Sequence, residues 1–163
     1  MPSFFEDVIV RLAEAEVEFV VVGGVSAALQ GAPIVTFDLD VCFRRTPENI
    51  DRIVRALSPL RPRLRDFPPN LPFVFDSRAL LLGTNFTLTV EGGDLDLLTE
   101  MIAIGGYEQV LADTEQVEIA GHHIKLLSLP LLIRTKTAAN RLKDRAALPV
   151  LHATLQMKHE SQQ

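Results

Sequence analysis

The sequence predicts an α+β fold, a mixed β-sheet flanked by helices. Three observations carry the prediction. Short β-branched or alternating runs at Phe19–Val22, Phe37–Phe43 and Phe86–Val90 have the length and composition of strands. Stretches with apolar residues at helical spacing stand before, between and after them. The order helix, strand, short helix, strand, helix, strands, helices lacks the even alternation of a doubly wound sheet, and it favours a mixed sheet with helices on one side. The 163 residues fit one domain, 1–163, with a helical C-terminal portion from about residue 128.

Taken in order, Ser3 and Glu6 fit a capping box, and Phe5, Val8, Ile9 and Leu12 share the inward face of a helix over 4–16. The run Phe19-Val20-Val21-Val22 reads as a buried strand that stops at Gly23-Gly24. Small apolar residues from Val25 to Gln30, halted by Gly31, suggest a short helix. Phe37–Phe43 alternates strictly, which predicts a strand at the edge of a core with Asp38, Asp40 and Cys42 on one face. Thr46 caps the next helix, Pro47 takes its first position, and Ile50, Ile53, Val54 and Leu57 form its apolar stripe. Residues 58–72, rich in proline and arginine, read as a surface loop. Asp76 caps a short helix ending at Gly83. Two hairpins follow, one joining Phe86–Val90 to Leu95–Leu98 through Glu91-Gly92-Gly93, the other turning at Ala120-Gly121. Helix resumes from Leu129 to about Asn140 and again from Asp144, with Pro149 expected to kink or restart it.

Composition narrows the function classes. Hydrophobic residues make up 47% and charged residues 23%, so a core can form and general disorder is excluded. A single cysteine excludes an internal disulfide framework and any zinc site that needs two thiolates. No apolar run reaches the roughly 20 residues of a membrane span, and the first residues lack a basic leader, so the expected location is cytoplasmic, with no membrane partner. The net charge of −5 argues against a general nucleic-acid coat. That charge is uneven, however: residues 44–65 carry seven basic and two acidic groups, and residues 134–145 carry five and one.

The chemistry concentrates in three features: Gly23-Gly24 after the first strand, Asp38-Leu39-Asp40, and Asp96 within the apolar strand Leu95-Asp96-Leu97. An Asp-x-Asp pair on a strand projects both carboxylates from one face, close enough to share a cation. Left bare they repel, and a hard divalent cation such as Mg²⁺ (or Mn²⁺) relieves the repulsion while keeping positions for phosphate oxygens. Asp96 on a neighbouring strand would complete a site for one or two metals. The glycines allow close approach of a phosphate to the backbone at the start of a helix. Singly, an Asp-x-Asp pair is commonly a solvated face and a Gly-Gly pair commonly a turn. Their combination, with a third acid, favours function.

The stretch VVGGVSAALQGAPIVTFDLDVCF resembles the signature of the nucleotidyltransferase superfamily, whose fold is that of the polymerase β palm. The C-terminal LIRTKTAANRLKD is similar to bacterial members of the abortive-infection (AbiEii) type and related toxin–antitoxin nucleotidyltransferases. The resemblance runs from about Val20 to Leu151. It implies that Gly23 and Gly24, with Ser26, cradle the nucleotide phosphates. Asp38 and Asp40 would then bind metal ions, and Asp96 would join them while positioning or deprotonating the acceptor. Lys136, Arg141 and Lys143 would contact the triphosphate. The implied reaction moves a nucleoside monophosphate from a nucleoside triphosphate to a hydroxyl of RNA, protein or a small molecule. A non-catalytic interaction protein of toxin–antitoxin type and a nucleotide-binding sensor are the alternatives, with a toxin or antitoxin partner or a homodimer as companions.

Other residues carry less. Asp94 shares the two-residue spacing with Asp96 but sits against Gly92-Gly93 and reads first as a turn residue. His122 and His123 are adjacent, so on a strand they point to opposite faces. Cys42 reads as a small buried hydrophobe.

Overall fold

A computed structural model of the chain describes residues 3–162. Chain order runs α1 (Ser3–Glu14), β1 (Phe19–Val22), α2 (Gly23–Leu29), β2 (Asp38–Phe43), α3 (Pro47–Leu57), β3 (Arg63–Leu64), α4 (Ser77–Leu82), β4 (Phe86–Val90) and β5 (Gly93–Leu98). It continues through β6 (Glu100–Met101), β7 (Gly105–Gly106), α5 (Tyr107–Leu111), β8 (Thr114–Ile119), β9 (His122–Leu127), α6 (Leu129–Ala139) and α7 (Leu142–Ser161). Seven strands form one mixed sheet in the order β3-β4-β5-β2-β1-β9-β8, and β6 with β7 forms a separate small ribbon. β2 runs antiparallel to β1 and parallel to β5, and β1 runs parallel to β9.

The period of two along each strand divides the core. Val21, Leu39, Val41, Phe43, Leu95, Leu97 and Leu126 pack on one face against α1 and α3, where Val8, Ile9, Leu12, Ile50, Ile53 and Leu57 are buried. Val20, Val22, Cys42 and Leu127 point the other way, against Tyr107 and Val110 of α5, Leu129 and Leu132 of α6, and Leu151 of α7. Helices therefore cover both faces, not one as the element order suggested. Alternation gives β1 two apolar faces to bury, while β2 and β5 each turn one face with their aspartates away from the first cluster. β2 lies inside the sheet, between β1 and β5.

Local chemistry fixes the ends. The Thr46 side chain accepts from the Asn49 N–H at 3.2 Å, Asp76 from Ala79 at 2.9 Å and Ser128 from Leu131 at 3.3 Å, and each opens a helix. The Ser3 side chain of the expected capping box lies outside the described residues. The expected loop 58–72 contains β3, and the connection between the hairpins holds β6, β7 and α5. These pieces are too short to show a period. Helix α7 runs unbroken through Pro149, with Leu151 buried against α6 holding the half beyond it. Among the described residues no helix is long and apolar enough to cross a membrane.

Candidate active site

Parallel pairing of β2 with β5 sets Asp38 opposite Asp94 and Asp40 opposite Asp96. Neighbouring strands lie about 4.8 Å apart, and residues two apart on one strand about 6.7 Å apart. Four carboxylates thus occupy a two-by-two grid on one side of the sheet. Asp94, expected at a turn, lies inside β5 on this grid because the strand begins at Gly93. It accepts a 2.9 Å hydrogen bond from the Thr89 hydroxyl.

Asp40 is the most constrained of the four. Its Oδ1 is buried without a hydrogen-bond partner. Burial, then the negative charge of Asp96 (close enough to share a hydrogen bond with it), then that of Asp38, push its carboxyl up to about 7, against a smaller opposing pull from Lys143. The same carboxylate explains Gly23. A Cβ there would lie 2.2 Å from Asp40 Oδ2, and the residue sits at φ +66°. Only glycine combines that backbone conformation with that contact. A Cβ on Gly24 would meet Thr36 at 2.9 Å. Both glycines begin α2 directly, without an intervening turn.

Ser26 lies away from this constellation. It is fully buried, and its hydroxyl donates to the Leu127 carbonyl at 2.9 Å, tying α2 to the end of β9. In this arrangement it serves the fold and offers no free hydroxyl to a phosphate.

Basic groups that act on the acids come from the α6–α7 junction. Asn140 takes the left-handed conformation at the end of α6, and α7 starts two residues later. Asp144, with a side chain 0% exposed, binds Arg141 through Nε at 2.7 Å, Nη2 at 3.2 Å and the backbone N–H at 3.1 Å. Lys136 Nζ stands 3.5 Å from it. Hydrogen bonding and charge from Arg141, with Lys136, hold the Asp144 carboxyl below its usual range despite the opposing effect of burial. Arg141 and Lys143 both act electrostatically on Asp40, so both basic groups belong to the acid grid's surroundings. Lys136, Arg141 and Lys143 are thus brought together at one junction, organised by a buried acid that the spacing alone did not single out.

A further residue was hidden in the arginine-rich segment. Arg65 Nη2 binds Asp96 Oδ1 at 2.8 Å, and its Nε lies 3.4 Å from Asp94 Oδ2. The alternation Arg61, Arg63, Arg65 was the available signal of an extended segment. Cys42 is fully buried and its thiol is pushed up to about 12 by burial, as a core residue. His122 and His123 stand on β9 at the far end of β1 from Gly23.

A hard cation fits the donor set: oxygen ligands only, with one buried carboxylate oxygen lacking any partner. As the side chains stand, no three His, Cys, Asp or Glu residues converge on a common point among the described residues. Arg65 partly neutralises the outer pair instead. A larger hollow, about 950 Å³, lies between α2, β8 and α7, away from the acids.

The chain thus has a mixed sheet with an acid pair on a central strand and a third acid on the parallel neighbour. A solved structure shares the fold. The chain is similar to the crystal structure of a "putative nucleotidyltransferase" from Thermotoga maritima, with 20% identity, a TM-score of 0.55, and coverage of 87% of this chain and 86% of that one. No protein-family model and no curated protein sequence matches the chain.

Proposed function

We propose that the chain is a metal-dependent nucleotidyltransferase. It would transfer a nucleoside monophosphate from a nucleoside triphosphate to a hydroxyl of RNA, protein or a small molecule, releasing pyrophosphate. The observation that carries this reading is the register of β2 with β5, which puts Asp96 beside Asp40 and leaves a buried Asp40 oxygen without a partner.

Asp38, Asp40 and Asp96 would hold Mg²⁺ or Mn²⁺. When bound, such a cation neutralises phosphate charge and makes an acceptor hydroxyl more acidic. The chain's own residues do the rest. Gly23 keeps the backbone against Asp40, so the carboxylate is held by close packing. Lys143 and Arg141, with Lys136 on Asp144, would supply positive charge for the triphosphate from the α6–α7 junction. Asp96 lies on the β4 side of the acid pair, where an acceptor hydroxyl would deliver its proton. In-line transfer of this kind depends on positioning and charge more than on covalent help.

The test is thermal unfolding with and without Mg²⁺ and each nucleoside triphosphate, for wild type and Asp38→Asn/Asp40→Asn. The expected outcome is stabilisation of the wild type alone by at least one nucleotide with Mg²⁺. Equal shifts in both proteins contradict the reading. A second reading, a nucleotide-binding sensor without turnover, is favoured by the guanidinium already placed on Asp96. It is separated by nucleotide binding without pyrophosphate release.

A further inference from the structure

The polar side of the sheet continues beyond the acids. In β4, Thr87 stands opposite Asp96 and Thr89 opposite Asp94. In β3, Arg63 stands opposite Thr89, and one residue past Leu64 the Arg65 N–H donates to the Thr87 carbonyl at 2.9 Å. Two rows therefore cross four strands, one from Asp40 through Asp96 and Thr87 to Arg65, the other from Asp38 through Asp94 and Thr89 to Arg63. Arg65 turns back along its row. It holds Asp96 at 2.8 Å, approaches Asp94 at 3.4 Å, and donates to the Leu88 carbonyl at 2.7 Å. The Arg65 and Asp96 side chains are 18% and 23% exposed, so water screens the pair only in part.

This contact fills the role a divalent cation takes in a carboxylate cluster. Asp96 holds Arg65 on one side and faces the like charge of Asp40, its register partner, on the other. A guanidinium stays charged at any ordinary pH, so it leaves only by moving. A divalent cation arriving at Asp96 meets that fixed positive charge at close range. The segment also leaves the side chain somewhere to go. A hollow of about 610 Å³ lies beside it, lined by Arg65 with Phe67, Leu71 and Phe73.

We propose that Arg65 is a tethered counter-cation for Asp96 and Asp94, and that a divalent cation using Asp96 loads by displacing the guanidinium. The inference rests on the reading of Asp38, Asp40 and Asp96 as cation ligands. It makes cation affinity at this site a competition set by the chain itself. A nucleotide that brings its own cation and phosphate charge would shift that competition.

The experiment is Mn²⁺ binding to the full-length chain, followed by the loss of the free-ion paramagnetic resonance signal near neutral pH at fixed ionic strength. It compares wild type, Arg65→Gln, Arg65→Lys, Asp96→Asn, Arg65→Gln/Asp96→Asn and Asp38→Asn/Asp40→Asn, with circular dichroism confirming folding. Arg65→Gln is expected to bind Mn²⁺ about tenfold more tightly than wild type, the scale of one charge-assisted hydrogen bond. Arg65→Lys, which keeps the charge but loses the fork that spans two carboxylates, is expected to lie between them. The gain is expected to vanish in the Asp96→Asn background. Wild-type or weaker affinity in Arg65→Gln overturns the inference. So does a gain that survives Asp96→Asn, or Arg65→Lys equal to wild type, which would mean through-space charge alone. If neither wild type nor Arg65→Gln binds Mn²⁺, or if Asp38→Asn/Asp40→Asn binds it normally, the ligand reading itself fails and the inference with it.

Discussion

Asp40 shows at the scale of one residue how a buried carboxylate strains a fold. Its carboxyl titrates near 7 in the folded chain against 3.8 ordinarily, chiefly because it is buried. A carboxyl with a raised pKa binds more protons folded than unfolded. Its contribution to stability is complete below about pH 3.8 and is lost as the pH rises through about 7. In chelator at about pH 8, Asp40→Asn is therefore expected to be more stable than wild type by on the order of 2 kcal/mol, with the gap closing towards about pH 5. Urea unfolding at both pH values measures this, and equal stability at the higher pH contradicts it. Gly23→Ala should act in the opposite direction. A left-handed backbone position and a 2.2 Å clash with Asp40 combine, at an expected cost of about 2–3 kcal/mol by the same measurement. Gly31→Ala, also at positive φ but with nothing within 4 Å, should cost only about 1 kcal/mol.

Elements bring these residues together, and here the sequence was readable in part. The two-residue period put Asp38 and Asp40 on one face, and turn glycines marked both hairpins. The parallel pairing of β2 with β5 was not readable, because it joins segments more than fifty residues apart and depends on which strand docks where. β3 is two residues long and Arg65 follows it directly, so the Arg61-Arg63-Arg65 alternation hinted at extended chain but not at the strand it pairs with or the carboxylate it reaches. The α6–α7 junction was legible as two helices, but the burial of Asp144 was not. Asp144→Ala removes the partner of Arg141 and Lys136. Its expected cost is about 2 kcal/mol of stability, since charged hydrogen bonds contribute about 1.5–3 kcal/mol each and Arg141 is largely in water. The depressed Asp144 carboxyl contributes stability above the ordinary carboxylate pKa, and that contribution is lost as the pH falls through its lower folded value. The Asp144→Ala deficit should therefore be full at neutral pH and shrink in strong acid. Denaturant melts across that range decide it.

Over the whole molecule, the net charge of −5 hides a division of labour. The basic run at 44–65 mostly supports structure. Arg44 pairs with Glu18 and Glu108 and lies 4.8 Å from the Tyr107 ring centroid, while Arg45 binds the carbonyls of Leu81 and Gly83. Arg61 pairs with Glu91. Arg65 turns to the acid grid. The second run gathers Lys136 and Arg141 on Asp144, and Arg141 and Lys143 act electrostatically on Asp40. The nucleotidyltransferase reading proposed above requires transfer of the α-phosphate and not the γ-phosphate. The most direct measurement incubates the chain with Mg²⁺, cell extract and nucleoside triphosphates labelled in turn at each of the two phosphates. The expected result is covalent label on an acceptor from the α position alone, lost in Asp38→Asn/Asp40→Asn. Label from the γ position, or transfer undiminished in the double variant, would contradict the account.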